Sequence, residues 1–214
     1  VGVTGFDSLL GYRGTSSVLY PGLSTVDALR KTVGLGHSEL APGDVRPLRQ
    51  LVDEVAWLMG IQFTVQVVAS DNGGVAAVLA GSCDGVFRRC RELVNDHWMI
   101  SLPERVETAV IAISADSQGH GWTQIGQALA TARQIVEPDG RIVILSEVAQ
   151  QPRDGLRLLS SFEDPHDGLR PLSKACPPDL IPATQLASAA CWARLYMLSD
   201  LEPNIIESLF MYPI

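Results

Sequence analysis

Two glutamines, Gln124 and Gln127, stand three positions apart just after the run Gly119-His120-Gly121. On a helix that spacing puts both amides on one face near the N-terminus, opposite an apolar stripe. Amide donors beside the partial positive charge of a helix start would suit a small carboxylate; a solvated polar face is the competing reading. The segment 14–22 reads Gly-Thr-Ser-Ser-Val-Leu-Tyr-Pro-Gly. A small-residue loop of this kind can cradle a phosphate through backbone N–H groups, with Thr15, Ser16 and Ser17 as the candidate contacts. It lacks the lysine of a nucleotide-binding P-loop. His37, within Gly34-Leu35-Gly36-His37-Ser38, sits where an imidazole could reach a ligand or a metal, or stay an ordinary surface side chain. His97, His120 and His166 fare no better on sequence alone, and nothing resembles a Ser-His-Asp or H-x-x-x-H arrangement.

The elements that would position these residues follow from periodicity. Leu48, Leu51, Val52, Val55 and Met59 recur at helical spacing, with Gly60 where a helix would be capped. Phe63, Val65 and Val67 then alternate with Gln62, Thr64 and Gln66, which predicts a strand whose apolar members face a core. Asp71-Asn72-Gly73-Gly74 supplies turn residues before a second strand at 75–79, so a hairpin is expected over 63–80. A helix follows at 86–94. The run Ala109-Val110-Ile111-Ala112-Ile113 reads as a strand covered on both faces, as in parallel sheets. The next helix, 122–136, places Ile125, Leu129, Ala132 and Val136 on one stripe. Pro138-Asp139-Gly140 ends it as a turn, ahead of a strand at 141–145. Strand, helix and strand at this spacing form a parallel crossover. Beyond it, 150–178 reads as loop with a short helix, then helix at 182–192, strand at 193–198 and helix at 203–210. The class is α/β: a three-layer sandwich with a mixed, partly parallel sheet flanked by helices. Residues 1–47, with one helix near 25–33, read as a loop-rich segment wrapped around a site, and 48–214 as the α/β domain.

Composition removes several function classes. A net charge of −8 with only two lysines, Lys31 and Lys174, argues against a nucleic-acid surface, which needs clustered cations. The longest apolar runs fall far short of the roughly 20 residues of a membrane span. Cys83, Cys90, Cys176 and Cys191 show neither C-x-x-C spacing nor a disulfide framework, as expected of reduced thiols in the cytoplasm. The first residues lack an initiator methionine and the last are apolar, so the chain is expected to be part of a larger enzyme and inactive alone.

In order and spacing these segments resemble the C-terminal part of nickel-dependent lactate racemases: a small-residue loop ending Pro21-Gly22, a helix leading into His37-Ser38, the hairpin 63–80, the unit 108–145, Ile181-Pro182 and Ser199-Asp200-Leu201. The resemblance covers most of the chain. It implies a racemase or epimerase of a 2-hydroxy acid that works by hydride transfer at a nickel-pincer nucleotide. His37 would be the single protein ligand to the metal, a sensible partner for nickel. Thr15, Ser16 and Ser17 would border the cofactor, and Gln124 would lie near the substrate.

The departures matter as much. Where the family carries a lysine bound covalently to the cofactor through a thioamide, this chain has Ser17, whose hydroxyl cannot form that bond. Where it carries a second lysine near the substrate, this chain has Gln127, which removes a full positive charge beside a carboxylate. Gln185 replaces an aromatic residue close to the cofactor. The acid and base for the substrate hydroxyl are expected in an N-terminal domain, the implied partner within the same protein. Homo-oligomers are also allowed, and a relative that binds a nucleotide-like or carboxylate ligand without nickel is the alternative.

Overall fold

The computed structural model describes residues 1–7, 10–25, 27–28, 46–70, 74–113 and 120–214. Expectations for His37, for most of the helix near 25–33, and for the turn at 71–73 fall outside the described residues. The chain packs as two compact units, Val1–Ser101 and Leu102–Ile214. That boundary lies inside the stretch read from sequence as 48–214.

In the first unit β1 (Gly2–Thr4), β2 (Phe6–Asp7) and β3 (Gly11–Tyr12) precede a short helix α1 (Thr15–Leu19). Helix α2 (Pro47–Leu58), strands β4 (Thr64–Ala69) and β5 (Val75–Gly81), and helix α3 (Cys83–Trp98) follow. The expected helix and hairpin are present. Proline at the first turn of α2 needs no N–H partner, and Gly60 takes φ +63 just past its end. The sheet has the order β1-β4-β5, with β1 parallel and β5 antiparallel to β4. Val68, Val86, Cys90 and Val94 form its core against α3, while Leu10, Leu48 and Val52 pack together separately.

The faces of β4 are the reverse of the expected ones. Thr64, Gln66 and Val68 are the buried members, and Phe63 is 66% exposed. Polar residues occupy the inner face because long-range partners satisfy them. Gln66 Oε1 accepts from Thr4 Oγ1, its Nε2 donates to Thr15 Oγ1 at 3.0 Å, and Thr15 also shares a hydrogen bond with Thr64. Buried polar atoms with such partners do not incur the cost of orphaned ones.

The second unit holds β6 (Val106–Ala112), α4 (Trp122–Ile135), β7 (Val136–Leu145), α5 (Asp154–Leu159), α6 (Pro165–Ala175) and α7 (Leu180–Ala190). It ends with β8 (Arg194–Leu198), α8 (Pro203–Ser208) and β9 (Met211–Pro213). Its four strands run parallel in the order β6-β7-β8-β9. The α/β class, with partly parallel sheets flanked by helices, is therefore borne out. The stripe Ile125, Leu129, Ala132 and Val136 is fully buried. Gly126 lets α4 approach α7, since a Cβ there would lie 2.8 Å from Pro182 Cα and 2.6 Å from Gln185 Oε1.

Three details differ from the sequence reading. Strand β7 starts at Val136 and runs through Pro138-Asp139-Gly140 as an irregularity, with Asp139 at φ +62 and a register shift opposite Val106 and Thr108. The stretch 150–178 holds two helices, each fixed by a carboxylate: Asp164 accepts from His166 N at 2.8 Å, and Asp179 accepts from Gly155 N at 2.7 Å. The apolar run of β6 is less covered than expected, with Val110 63% exposed.

Candidate functional site

The segment 14–22 is not the open loop read from sequence. It turns into α1 at Thr15, and Gly14 is its N-cap. Ser17 is buried; its Oγ accepts from Gly14 N at 3.0 Å and donates to Gly14 O at 2.7 Å. That reciprocal pairing closes the first turn and leaves the hydroxyl engaged both as donor and as acceptor. Only glycine fits at 14, because a Cβ would lie 2.7 Å from the Phe87 ring and 3.2 Å from Gln66 Nε2. Thr15 faces inward to Thr64 and Gln66, so of the three candidates it is the one tied to the sheet. Thr15 and Ser16 border a cleft of about 660 Å³, which Ser17 does not line.

Gln124 and Gln127 lie on α4 in the second unit, both exposed, as their spacing predicts. Gly121 is the N-cap, and its N–H donates to Gln124 Oε1 at 3.1 Å. This holds the amide with its Nε2 directed away from the backbone. The structure separates the two glutamines in role. Gln124 lines a cavity of about 310 Å³ together with Thr123, Gln150, Arg153 and Asp179, and Gln127 does not.

Sequence reasoning missed Gln150 and Arg153, whose segment is tied to α4 by Trp122 Nε1 donating to Gln150 O at 2.8 Å. With the Gln150 amide turned so that its oxygen faces Arg153, it accepts from Nη2 at 3.0 Å and Nε at 3.1 Å. No spacing rule links positions 124 and 153. Nearby, His120 Nε2 lies 2.6 Å from Ser146 Oγ at the end of β7, and that oxygen also accepts from Val148 N at 3.1 Å. His120 Nδ1 is buried with no hydrogen-bond partner among the described residues. Ser146 is only 9% exposed, so this pair fixes the start of α4 rather than presenting a nucleophile.

The first unit also has an open cleft of about 950 Å³, bordered by Tyr12, Arg49, Trp57 and Arg91. Arg49 stacks on Phe87 at 4.3 Å and pairs with Asp53 at 2.8 Å, so its charge is already met. Of the sequence-predicted residues that are described, none lines this cleft. Among the described residues no three His, Cys, Asp or Glu side chains gather as a metal site. A site with a single protein ligand, such as His37, is not of that kind and lies outside the described residues.

No family model and no curated protein matches the sequence. Solved structures do. The lactate racemase apoprotein of Thermoanaerobacterium thermosaccharolyticum superimposes with a TM-score of 0.86 at 16% identity, over 99% of this chain and 54% of its own. The fold of this chain is similar to that of about half of the lactate racemase apoprotein. A crystal structure of a Thermotoga maritima protein also matches, with a TM-score of 0.72 at 13% identity, over 99% of this chain and 59% of that one. At such identities the likeness shows the fold alone, and the chain spans little more than half of either solved protein. In this chain the α4 start with Gln124 lies beyond a parallel strand, where open α/β sheets bind their ligands.

Proposed function

We propose that this chain is part of a lactate-racemase-like isomerase that racemises or epimerises a 2-hydroxy acid, with Gln124 at the substrate. The observation that carries the reading is the superposition of 99% of the chain on lactate racemase. The 310 Å³ cavity beside Gln124 agrees with it, being at the small end of ligand sites and suited to a compact acid. The proposed partner is the remaining domain of such an enzyme, which would supply the acid and base for the hydroxyl. Free cysteines suit the cytoplasm as its compartment.

The resemblance implies a nickel-pincer nucleotide, and the residues present do not fit its tethered form. Ser17 Oγ is buried, engaged with Gly14 at both hydrogen-bonding roles, and chemically unable to form a thioamide. The proposal is therefore a cofactor held without a covalent link, with His37 as its metal ligand and Thr15 and Ser16 at its border. The same observation favours a second reading, a relative that binds a nucleotide-like or carboxylate ligand without nickel.

Nickel analysis of the full-length protein, produced beside the cofactor-maturation proteins, tests the assignment. About one nickel per chain, lost in His37→Ala, is expected; equal nickel in both removes it. Native mass spectrometry separates the second reading, since no pincer, or a pincer free of metal, would support that one.

A further inference from the structure

We propose that Arg153 is the cationic anchor for the substrate carboxylate in this chain, replacing the ammonium that Gln127 lacks. The inference rests on the reading of a 2-hydroxy acid as substrate and deepens it.

Arg153 and Gln124 line the same cavity although they lie on different elements. Among the described residues the guanidinium has no acidic partner; with the Gln150 amide turned to face it, its hydrogen bonds go to that neutral group, which orients it without cancelling its charge. Asp179, the one carboxylate among the described residues that line the cavity, is committed elsewhere. Its Oδ1 accepts from Gly155 N at 2.7 Å and its Oδ2 from Leu156 N at 3.2 Å, at the start of α5. Gln124 has its oxygen tied to Gly121 N–H, so Nε2 remains as a donor, and Thr123 adds a hydroxyl. The cavity thus offers an unpaired guanidinium with an amide and a hydroxyl donor.

That set matches a carboxylate carrying a neighbouring hydroxyl. A guanidinium stays charged at any working pH and can grip both carboxylate oxygens, which a lysine ammonium does only as a point charge. The loss of positive charge at 127 therefore does not imply a less anionic substrate. The charge comes instead from the segment ahead of α5.

Titration of the chain with lactate and with lactamide, followed by NMR shifts of Gln124 and its neighbours, tests this. Lactate should bind, and Arg153→Gln should weaken it by about tenfold or more, the usual effect of removing a charged hydrogen bond. Arg153→Lys should restore part of the affinity, and lactamide should be insensitive to both changes. Arg153 is exposed, so the variants should fold, and circular dichroism checks that. Unchanged lactate affinity in Arg153→Gln, equal losses for lactate and lactamide, or no binding to the unaltered chain overturns the proposal. Inorganic phosphate binding tighter than lactate, and lost in the same variant, overturns the carboxylate assignment. Nickel content of the full-length protein is read separately: its absence beside Arg153-dependent lactate binding would sink the racemase reading and leave this anchor standing.

Discussion

Gln66 on β4 holds Thr15 at the head of α1, with Nε2 donating to Thr15 Oγ1 at 3.0 Å while its oxygen accepts from Thr4. One amide therefore ties the first strand, the central strand and the helix bearing the candidate cofactor contacts. Gln66 and Thr4 are 1% and 2% exposed, so the Thr4 hydroxyl has no water to turn to, whereas Thr15 is half-buried at the cleft and keeps Thr64 as a partner. Replacing Gln66 with leucine should cost about 1–3 kcal/mol, because the buried Thr4 hydroxyl loses its partner. Urea unfolding measures this, and adding Thr4→Val to Gln66→Leu should recover part of the loss. A Gln66→Leu chain as stable as the parent would show that the network is not closed in solution.

The reversed faces of β4 give a second expectation. Val68 is fully buried whereas Val78, paired with Val67 across the hairpin, is 63% exposed. Val68→Thr should destabilise by about 1–3 kcal/mol, the cost of a hydroxyl placed in an apolar core. Val78→Thr should stay within about 0.5 kcal/mol, as exposed substitutions do. Thermal melts of the two variants decide between the observed facing and the one that alternation alone suggests.

That facing marks the limit of what the sequence told. The period-two pattern of 62–67 identified a strand correctly, yet it left the inner face to be assigned by hydrophobicity. Thr64 and Gln66 are buried through partners at positions 4 and 15, contacts too distant for any local pattern to register. Strand β1 went unread for a related reason, since three residues paired in parallel to β4 carry no periodic signal. By contrast the stripe Ile125, Leu129 and Ala132 was legible because one helix face meets one core, while Val136, read as its continuation, is buried at the start of β7. In the candidate site, Gln124 was legible from its place at a helix start. Arg153 was not, because it reaches the cavity from another segment.

Helix α4 sets helix propensity against packing at Gly126. Alanine at an exposed helical position should gain up to about 1 kcal/mol over glycine. Here its Cβ would meet the backbone of Pro182 at 2.8 Å, and backbone cannot turn aside as a side chain can. The contact wins, and Gly126→Ala should lower stability by about 1–3 kcal/mol through overpacking. A rise in melting temperature would mean that α7 yields at no cost.

Ser17 decides how a cofactor could be held. Because its Oγ closes the first turn of α1 with Gly14, Ser17→Ala should cost about 0.5–2 kcal/mol, the range for losing a helix-start hydrogen bond. If the residue is structural, intact-mass measurement under denaturing conditions should give the bare chain for parent and Ser17→Ala alike, even from cofactor-producing cells. Any ligand seen in native spectra should then leave on denaturation. An added mass that survives denaturation in the parent and vanishes in Ser17→Ala would show Ser17 to be an attachment point after all. The buried double hydrogen bond would then have to open before the linkage formed.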